Sequence, residues 1–376
     1  MATDTSESSA RLRVALDAGF LALPPSGIGT YVTGLFDALA ARDDIVFARL
    51  TPPRLLQKAD PRLMRVAWDA AGVEIARLAA TRDAEVLHIP NFSGPVITSA
   101  PLVVTIHDVI PLVLPEYAAS GPMRLYLALM RRTVRRARIV LTPSVFSGGE
   151  IERVLGIPAD RIRVTPLAVD PALRPAADVD GVRGRLAERF GISGRYLLHM
   201  AGFDRRKNVP LLVRAFARAL PDLPDDVVLV LAGAPHSENP AVFPPIDPVI
   251  HELGIGDRVI LTGRVSDAER ALLYQGAMGY VTPSSYEGFG LTPLEAMACG
   301  VPVIAANRTS LPEVVGDAGL LVEPEVEAVA GAMARLVTDC DLHNDLSRRG
   351  LERSAGFTWE RTADLTVAAY REAIGR

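Results

Sequence analysis

Lysine is almost absent from this chain. Of 376 residues 40 are basic, and only Lys58 and Lys207 among them are lysines; the rest are arginines. Where arginine has taken nearly every basic position, a surviving lysine either marks a place that needs a compact ammonium or is there by chance. Cysteine is scarce too. Cys299 and Cys340 are too few for a disulfide framework and fit a reducing compartment. No apolar run approaches the ~18–20 residues that span a bilayer. The N-terminal "MATDTSESSARLR" is polar and carries acids, unlike a secretory signal. A net charge of −4 gives no general attraction to nucleic acid. The expectation is a cytoplasmic protein. Its 376 residues exceed one ordinary core and suggest two domains.

What is present is a repeated strand–helix rhythm. "RLRVALDAG", "AEVLHIP", "PLVVTIHD", "ARIVLTPS" and "RIRVTPLAVD" read as short buried strands, and "GIGTYVTGLFDALAAR" carries apolar residues at helical spacing. The second half repeats the pattern in "RYLLHMAGF", "DVVLVLAG", "RVILTGRV", "AMGYVTPS" and "VPVIAAN", separated by helical stretches such as "VPLLVRAFARAL". Continuous apolar strands alternating with amphipathic helices predict α/β architecture, with parallel sheets covered on both faces. "DPALRPAADVDGVRGRLAERFGIS" loses the apolar rhythm and reads as a linker. The expected layout is a first domain at 11–175, a linker at 176–194 and a second domain at 195–357. A final helix at 358–376 could cross back to the first domain. Two such domains imply a cleft, where open α/β sheets bind ligands.

The stretch "SSYEGFGLTPLEAMACGVPVI" at 284–304 is the most informative. Glu287 and Glu295 flank a loop with Gly288 and Gly290, followed by a helix predicted to take Thr292 as N-cap and Pro293 at its first position. Thr292-x-x-Glu295 matches a capping box, which alone explains Glu295. It does not explain the glycines. Glycines before a helix N-terminus bare backbone N–H groups and make an anion site suited to phosphate. Carboxylates beside such a site make sense if they hold hydroxyls, such as a ribose diol and a sugar ring. Together these describe a nucleoside diphosphate sugar.

"EGFGLTPLEAMACGVPVIA" resembles the E-x7-E signature of glycosyltransferase family 4, retaining transferases of the GT-B fold with two Rossmann-like domains facing a central cleft. "SGIGTYVTGL" is similar to the family's N-terminal glycine loop. "VVTIHDVIPL" and "TPSVFSGGEIERVLGIPADRIRVTPLAVD" are similar to its first-domain strands. "LLHMAGFDRRKNVPLLVRAFARAL" resembles its basic phosphate loop, and "LTGRVSDAERALLYQGAMGYVTPS" the run into E-x7-E. The likeness runs from about residue 11 to near the end, and "TIHDVIPL" with "RKN" most resembles the mannosyltransferase-like branch.

The resemblance implies a first domain on the acceptor side and a second that binds the donor. Arg206 and Lys207, with Arg205 less central, would hold the diphosphate as it departs. The loop Gly288, Phe289, Gly290, Leu291 and Thr292 would cradle it. Glu295 would take the ribose and Glu287 the sugar hydroxyls, with Val265 also among the donor contacts. His107 would position the sugar, with Asp108 as a weaker partner. Gly27 and Gly29 would let backbone approach donor phosphates or acceptor, although a plain turn explains them equally. His199 reads as a core residue.

Phe203 and the pair Leu167-Ala168 depart from the family's pattern, which leaves the basic duty to Arg205–Lys207 and puts contacts at the hinge in doubt. "DVD" at 178–180 lies in the linker, so neither a metal nor another cofactor is expected; the nucleotide sugar is a co-substrate. From 117 to 149 there are six arginines and no acid. "RLYLALMRRTVRRARIV" either lies on an anionic membrane or packs its apolar face on the sheet and solvates its arginines. The implied function is transfer of a hexose, with a lean to mannose from GDP-mannose, to a glycan or lipid-linked acceptor in surface polysaccharide synthesis. Peripheral contact with the inner face of a membrane stays open. So do a sugar-nucleotide 2-epimerase of the same fold and a non-catalytic sugar-nucleotide binding protein.

Overall fold

The computed structural model describes residues 11–22, 27–54, 67–92, 94–95, 97–118, 121–235 and 239–376. The polar stretch 1–10 and Lys58 lie outside them. The chain divides into two compact units, one running to Ala168 and resuming at Trp359, the other spanning Val169–Thr358.

The first unit is built on a six-stranded sheet: β1 (Leu12–Asp17), β2 (Ile45–Leu50), β3 (Val86–Ile89), β4 (Leu102–Thr105), β5 (Ile139–Thr142) and β6 (Ile162–Val164). Its order is β2-β1-β3-β4-β5-β6, and every pairing is parallel. The central β3, β4 and β5 are buried throughout, as their unbroken apolar runs require. Around the sheet lie α1 (Gly27–Ala40), α2 (Val73–Ala80), α3 (Gly121–Arg136) and α4 (Val145–Leu155). α1 buries Tyr31, Val32, Leu35, Phe36 and Leu39 on one face. On the basic helix α3, Leu127, Met130 and Val134 enter the same core as Leu87, Val104 and Val140. Arg131, Arg132, Arg135 and Arg136 face solvent. The apolar face is therefore packed on the protein.

The second unit carries β7 (Tyr196–Met200), β8 (Val228–Ala232), β9 (Val259–Gly263), β10 (Gly279–Thr282), β11 (Val303–Ala306) and β12 (Gly319–Val322). These pair in the order β12-β11-β10-β7-β8-β9, again all parallel. Its helices of eight or more residues are α5 (Val179–Phe190), α6 (Val209–Ala219), α7 (Asp267–Gly276), α8 (Leu291–Ala298), α9 (Val326–Thr338) and α10 (Cys340–Ser354). Phe203, where arginine is common in the family the sequence resembles, is buried in this unit's core with Leu212, Phe216 and Leu231.

Two expectations need correction. Most of 176–194 is no linker: it forms α5, capped by Asp178 on the Gly181 amide, burying Val182 and Leu186. Two inward residues one turn apart were enough to hold it. The sequence reading also omitted the edge strands β2 and β12. β2 buries only its end residues Ile45 and Leu50, and β12 is four residues long and only partly buried throughout, so neither stands out as a fully covered strand.

The last helix, α11 (Trp359–Ala373), belongs to the first unit. Thr362 Oγ1 donates to the Pro166 carbonyl at 2.6 Å, and the Trp359 ring lies on α1 at Gly34. A Cβ at Gly34 would come within 2.2 Å of that ring. Beneath them runs a buried polar chain. Tyr370 OH meets His88 Nδ1 at 2.7 Å, His88 Nε2 meets Thr105 Oγ1 at 2.8 Å, and Thr105 Oγ1 meets Tyr31 OH at 3.0 Å. Burial, with His107 nearby, pushes His88 down to about 3, so it stays neutral with one ring nitrogen donating and the other accepting.

Gly34→Ala must displace the indole and should destabilise the protein by about 1–3 kcal/mol. Tyr370→Phe, which strands a buried imidazole nitrogen, should cost about 1–3 kcal/mol. Denaturant midpoints check both, and an unchanged midpoint for Gly34→Ala would contradict the docking of α11 on α1.

Candidate functional site

In the second unit β7 and β10 are neighbours in the sheet but not in sequence. The chain leaves β7 toward β8 and β9, then returns to lay β10 on the other side. Such a reversal opens a crevice at the carboxyl ends of the two strands. The loop after β7 carries Arg205, Arg206 and Lys207 as one 3-10 turn, and the loop after β10 carries Glu287. The Ser285 amide donates to the Arg206 carbonyl at 2.7 Å and stitches the loops together.

Glu287 lies between two cations. Lys207 Nζ stands 2.6 Å from Oε1, and Arg206 Nη1 stands 2.8 Å from Oε2 and 3.1 Å from the Tyr286 carbonyl. Asp204 takes the other side of the Arg206 guanidinium at 3.2 Å. Burial works to raise the Glu287 carboxyl, but Lys207 and Arg206 outweigh it and bring it down to about 2. Arg205 is exposed and forms no ion pair among the described residues.

Backbone geometry fixes this arrangement. Among the described residues the non-glycine residues with positive φ are Asn208 at 57° and Thr309 at 55°. One follows Lys207 directly; the other accepts the Glu287 amide on Oγ1 at 3.1 Å. Asparagine tolerates this conformation, whereas a β-branched threonine there is strained, as residues at functional sites often are. Ser310 Oγ lies 2.9 Å from the Glu287 carbonyl and 2.7 Å from that of Phe289, bridging the loop.

The loop then enters α8 two residues earlier than expected. Gly290, with φ of 117°, occupies the N-cap position, and the helix runs from Leu291. Thr292 is therefore inside the first turn and caps nothing. The left-handed backbone at Gly290 lets the chain turn in over Leu311, which a Cβ would approach to 3.1 Å. The amides of Leu291 and Thr292 precede the first helical hydrogen bond, Leu294 to Gly290. They carry the positive end of the helix dipole.

Glu295 makes no capping box. Its Oε1 takes Arg270 Nη1 at 2.8 Å and its Oε2 takes Tyr274 OH at 2.9 Å, both from α7. Burial pushes its carboxyl up to about 7, with Asp170 and Asp267 adding to the rise and Arg270 and Tyr274 opposing it. The two glutamates of one motif thus sit in opposite electrostatic states. Val265 lies half-buried between β9 and α7, and Phe289 packs edge-on to Phe357 at 5.9 Å. His199 is fully buried, its Nδ1 on the Val281 carbonyl at 2.8 Å, and serves the core as expected.

The remaining candidates belong to the first unit. Gly27 and Gly29 lie in the opening turn of α1, and a Cβ at Gly27 would meet nothing within 4 Å, so packing does not demand glycine there. His107 Nε2 donates to the Pro90 carbonyl at 3.1 Å while the ring stands edge-on to Tyr31 at 4.8 Å. Burial pushes it down to about 4 against that hydrogen bond, so it is neutral. Asp108 Oδ1 accepts the Ile110 amide at 3.0 Å, a local turn contact. Sequence reasoning missed Thr309, Ser310, Arg270 and Tyr274. Only Ser310, just ahead of Leu311-Pro312, carried a helix-start signal.

Comparison with known proteins identifies the family. The family model for glycosyl transferases group 1 matches residues 188–353, and that for glycosyltransferase family 4 matches 25–173. O-antigen chain mannosyltransferase B of Escherichia coli is 33% identical over 287 residues, covering 76% of this chain and 74% of that protein. The chain belongs to glycosyltransferase family 4. It is also 26% identical to the serotype-specific mannosyltransferase WbdA of Escherichia coli, over 89% of this chain but only 42% of that protein. Among solved structures, sucrose-phosphate synthase from Thermosynechococcus elongatus superposes with a TM-score of 0.72 at 24% identity, covering 97% of this chain and all of that one. Anabaena HepE in complex with UDP and glucose gives 0.71 at 18% identity, with 95% and 98% covered. These likenesses establish the GT-B fold, and the family makes this glycosyltransferase an enzyme. Among the described residues no helix is long and apolar enough to cross a membrane, and no group of three metal-ligating side chains occurs.

The Glu287 pairing makes a prediction for acid stability. A carboxyl lowered from 4.5 to about 2 contributes stability that is complete above 4.5 and lost as pH falls toward 2. The size is about 3 kcal/mol. Glu287→Gln removes that acid-side slope and, at neutral pH, leaves the buried Lys207 without a counter-charge, at about 3 kcal/mol or more. Melts of both proteins across this range check it; parallel curves would disprove the paired state.

Proposed function

We propose that this glycosyltransferase transfers mannose from GDP-mannose, with retention of anomeric configuration, to a glycan or lipid-linked acceptor in surface polysaccharide synthesis. The observation that carries the donor reading is the cation pair Arg206 and Lys207, held on Glu287 in the loop that leads into α8, at the sheet's switch point. Mannose and polysaccharide are supported by the names of relatives, O-antigen chain mannosyltransferase B and WbdA, of which this chain spans about three quarters and two fifths.

In the reaction the bond from the anomeric carbon to the diphosphate oxygen breaks, and its electron pair leaves with the diphosphate. The acceptor hydroxyl bonds to that carbon on the same face and passes its proton to the departing phosphate oxygen. Charge therefore builds on the diphosphate, and fixed donors aimed there lower the barrier most. Arg206 and Lys207 supply two charges. An ammonium has three donors and Glu287 engages one, so Lys207 serves carboxylate and phosphate together. The α8 amides supply the rest. No cofactor or metal enters this scheme.

Glu287 binds sugar hydroxyls in this reading. With one cation on each carboxylate oxygen it is a poor nucleophile, which favours front-face displacement over a covalent intermediate. A trapped glycosyl–Glu287 adduct would overturn that. Neutral His107 donates through Nε2 to the Pro90 carbonyl, which leaves Nδ1 as the acceptor nitrogen of its ring. Arg131, Arg132, Arg135 and Arg136 of α3, which with Pro111, Leu112 and Pro115 line a groove of about 810 Å³, give contact with anionic headgroups by charge alone.

A thermal-shift screen of GDP-, UDP- and dTDP-sugars tests the donor. GDP-mannose at a hundred times its Kd should stabilise by about 2.7 kcal/mol, and Lys207→Ala should abolish that shift. Stabilisation by another base alone would move the donor assignment, and conversion of donor to an isomer without acceptor would make the protein an epimerase. Sedimentation with phosphatidylglycerol vesicles should be strong at low salt, weak at high salt and absent for phosphatidylcholine. Salt-insensitive binding would contradict a purely electrostatic contact.

A further inference from the structure

Arg270 occupies the first turn of α7, and Tyr274 follows one turn later on the same face. Together they hold both oxygens of Glu295. The Arg270 guanidinium also reaches Asp267 at 3.3 Å and Asp170 at 3.5 Å. Asp170 sits two residues past the boundary where the second unit begins. The Arg270 Nε, meanwhile, is buried without a hydrogen-bond partner among the described residues. An unpaired buried N–H costs about 1–3 kcal/mol, so the side chain's placement is not optimised for stability alone.

Resting on the reading of Glu295 as the ribose contact, we propose that Arg270 is a positioning residue for donor recognition. With Tyr274 it aims the Glu295 carboxylate at the ribose diol, and through Asp170 it ties that carboxylate to the segment entering the unit. A carboxylate offers about four lone-pair sites. Arg270 and Tyr274 take one on each oxygen, and the two left match a vicinal pair of hydroxyl donors. A carboxylic acid would lose part of that acceptor capacity, so the contact depends on ionisation.

Ionisation at this position is contested. Arg270 opposes burial, Asp170 and Asp267 oppose Arg270, and Tyr274, Tyr280 on β10 and Cys299 at the end of α8 complete the titratable surroundings. With the carboxyl raised to about 7, the charged form prevails only above that pH. Recognition of the diol should therefore weaken as pH falls through 7. Removing Arg270 takes away its chief cationic support and moves that loss to higher pH.

The test measures binding of GDP and 2′-deoxy-GDP, and of UDP and 2′-deoxy-UDP, by calorimetry from about pH 6 to about pH 9. Proteins are wild type, Arg270→Gln, Arg270→Lys and Tyr274→Phe. Wild type should prefer the ribonucleotide about tenfold or more above pH 7, the loss expected when a polar site meets an analogue lacking its hydroxyl. Arg270→Gln should lose most of that preference near neutral pH and regain part toward pH 9, while the deoxy analogue binds both proteins alike. Arg270→Lys, which keeps the charge, should retain the pH profile and guards against misfolding. Tyr274→Phe should weaken the preference with a smaller pH shift. A wild type that binds none of the nucleotides, or does not discriminate them, overturns the Glu295 reading and this proposal with it. A discriminating wild type whose preference and pH profile survive in Arg270→Gln overturns the role of Arg270 alone.

Discussion

The second unit is organised around one buried carboxylate. Glu287 at 8% exposure sits against Lys207 at 9%, with Arg206 on its other oxygen. Each of these groups would be prohibitive to bury alone, and together they are tolerable only because every charge meets another within hydrogen-bond distance. That requirement drives the local backbone. The loops after β7 and β10 must approach closely enough for the Ser285 amide to reach the Arg206 carbonyl, and Thr309 must accept a strained conformation to hold the Glu287 amide. An ordinary structural ion pair rarely recruits two left-handed residues. A site that must present cations without collapse has reason to, because preorganised charge stabilises a leaving group without reorganisation when the bond breaks.

The two glutamates show how one motif makes two kinds of acceptor. Their spacing puts Glu287 before the helix and Glu295 inside it, so different elements supply their partners. Glu287 receives cations from the loop after β7 and is held ionised at any physiological pH. Glu295 receives one cation and one phenol from α7, with Asp170 and Asp267 drawing on that same cation, and ends near neutrality. Environments that push like groups apart in acidity are a means of dividing labour within a site. Here one carboxylate becomes a fixed anion and the other a conditional one.

What could be read from the sequence followed burial and local chemistry. Strands covered on both faces, such as β4 and β10, announce themselves as unbroken apolar runs, and the glycines and charges of 203–208 and 286–295 mark loops with work to do. Edge strands escaped because β2, "IVFARL", interleaves an arginine with residues that face solvent. α5 escaped because two buried side chains make too faint a stripe among its charges. The wrong cap at Thr292 has a similar cause. Thr-x-x-Glu is a local pattern, and the local bond lost to Arg270 and Tyr274, which lie some twenty residues earlier and are brought in by packing of α7. No pattern within 286–295 specifies that encounter. The strain at Thr309 was equally invisible, since threonine carries no signal for positive φ.

The shortage of lysine gains meaning from this geometry. Arg206 approaches Glu287 with a planar fork that also spans the Tyr286 carbonyl and Asp204, filling the space on that side. A second fork on the other oxygen would need comparable room in a pocket already nearly closed to solvent. The lysine instead ends in a compact ammonium at 2.6 Å, whose remaining donors point away from the carboxylate in a tetrahedral spread. Phosphate oxygens need that spread, because they approach from several directions and demand no planar match. In a chain that uses arginine at all but two of its basic positions, steric economy at a shared carboxylate is a sufficient physical reason for the ammonium at position 207.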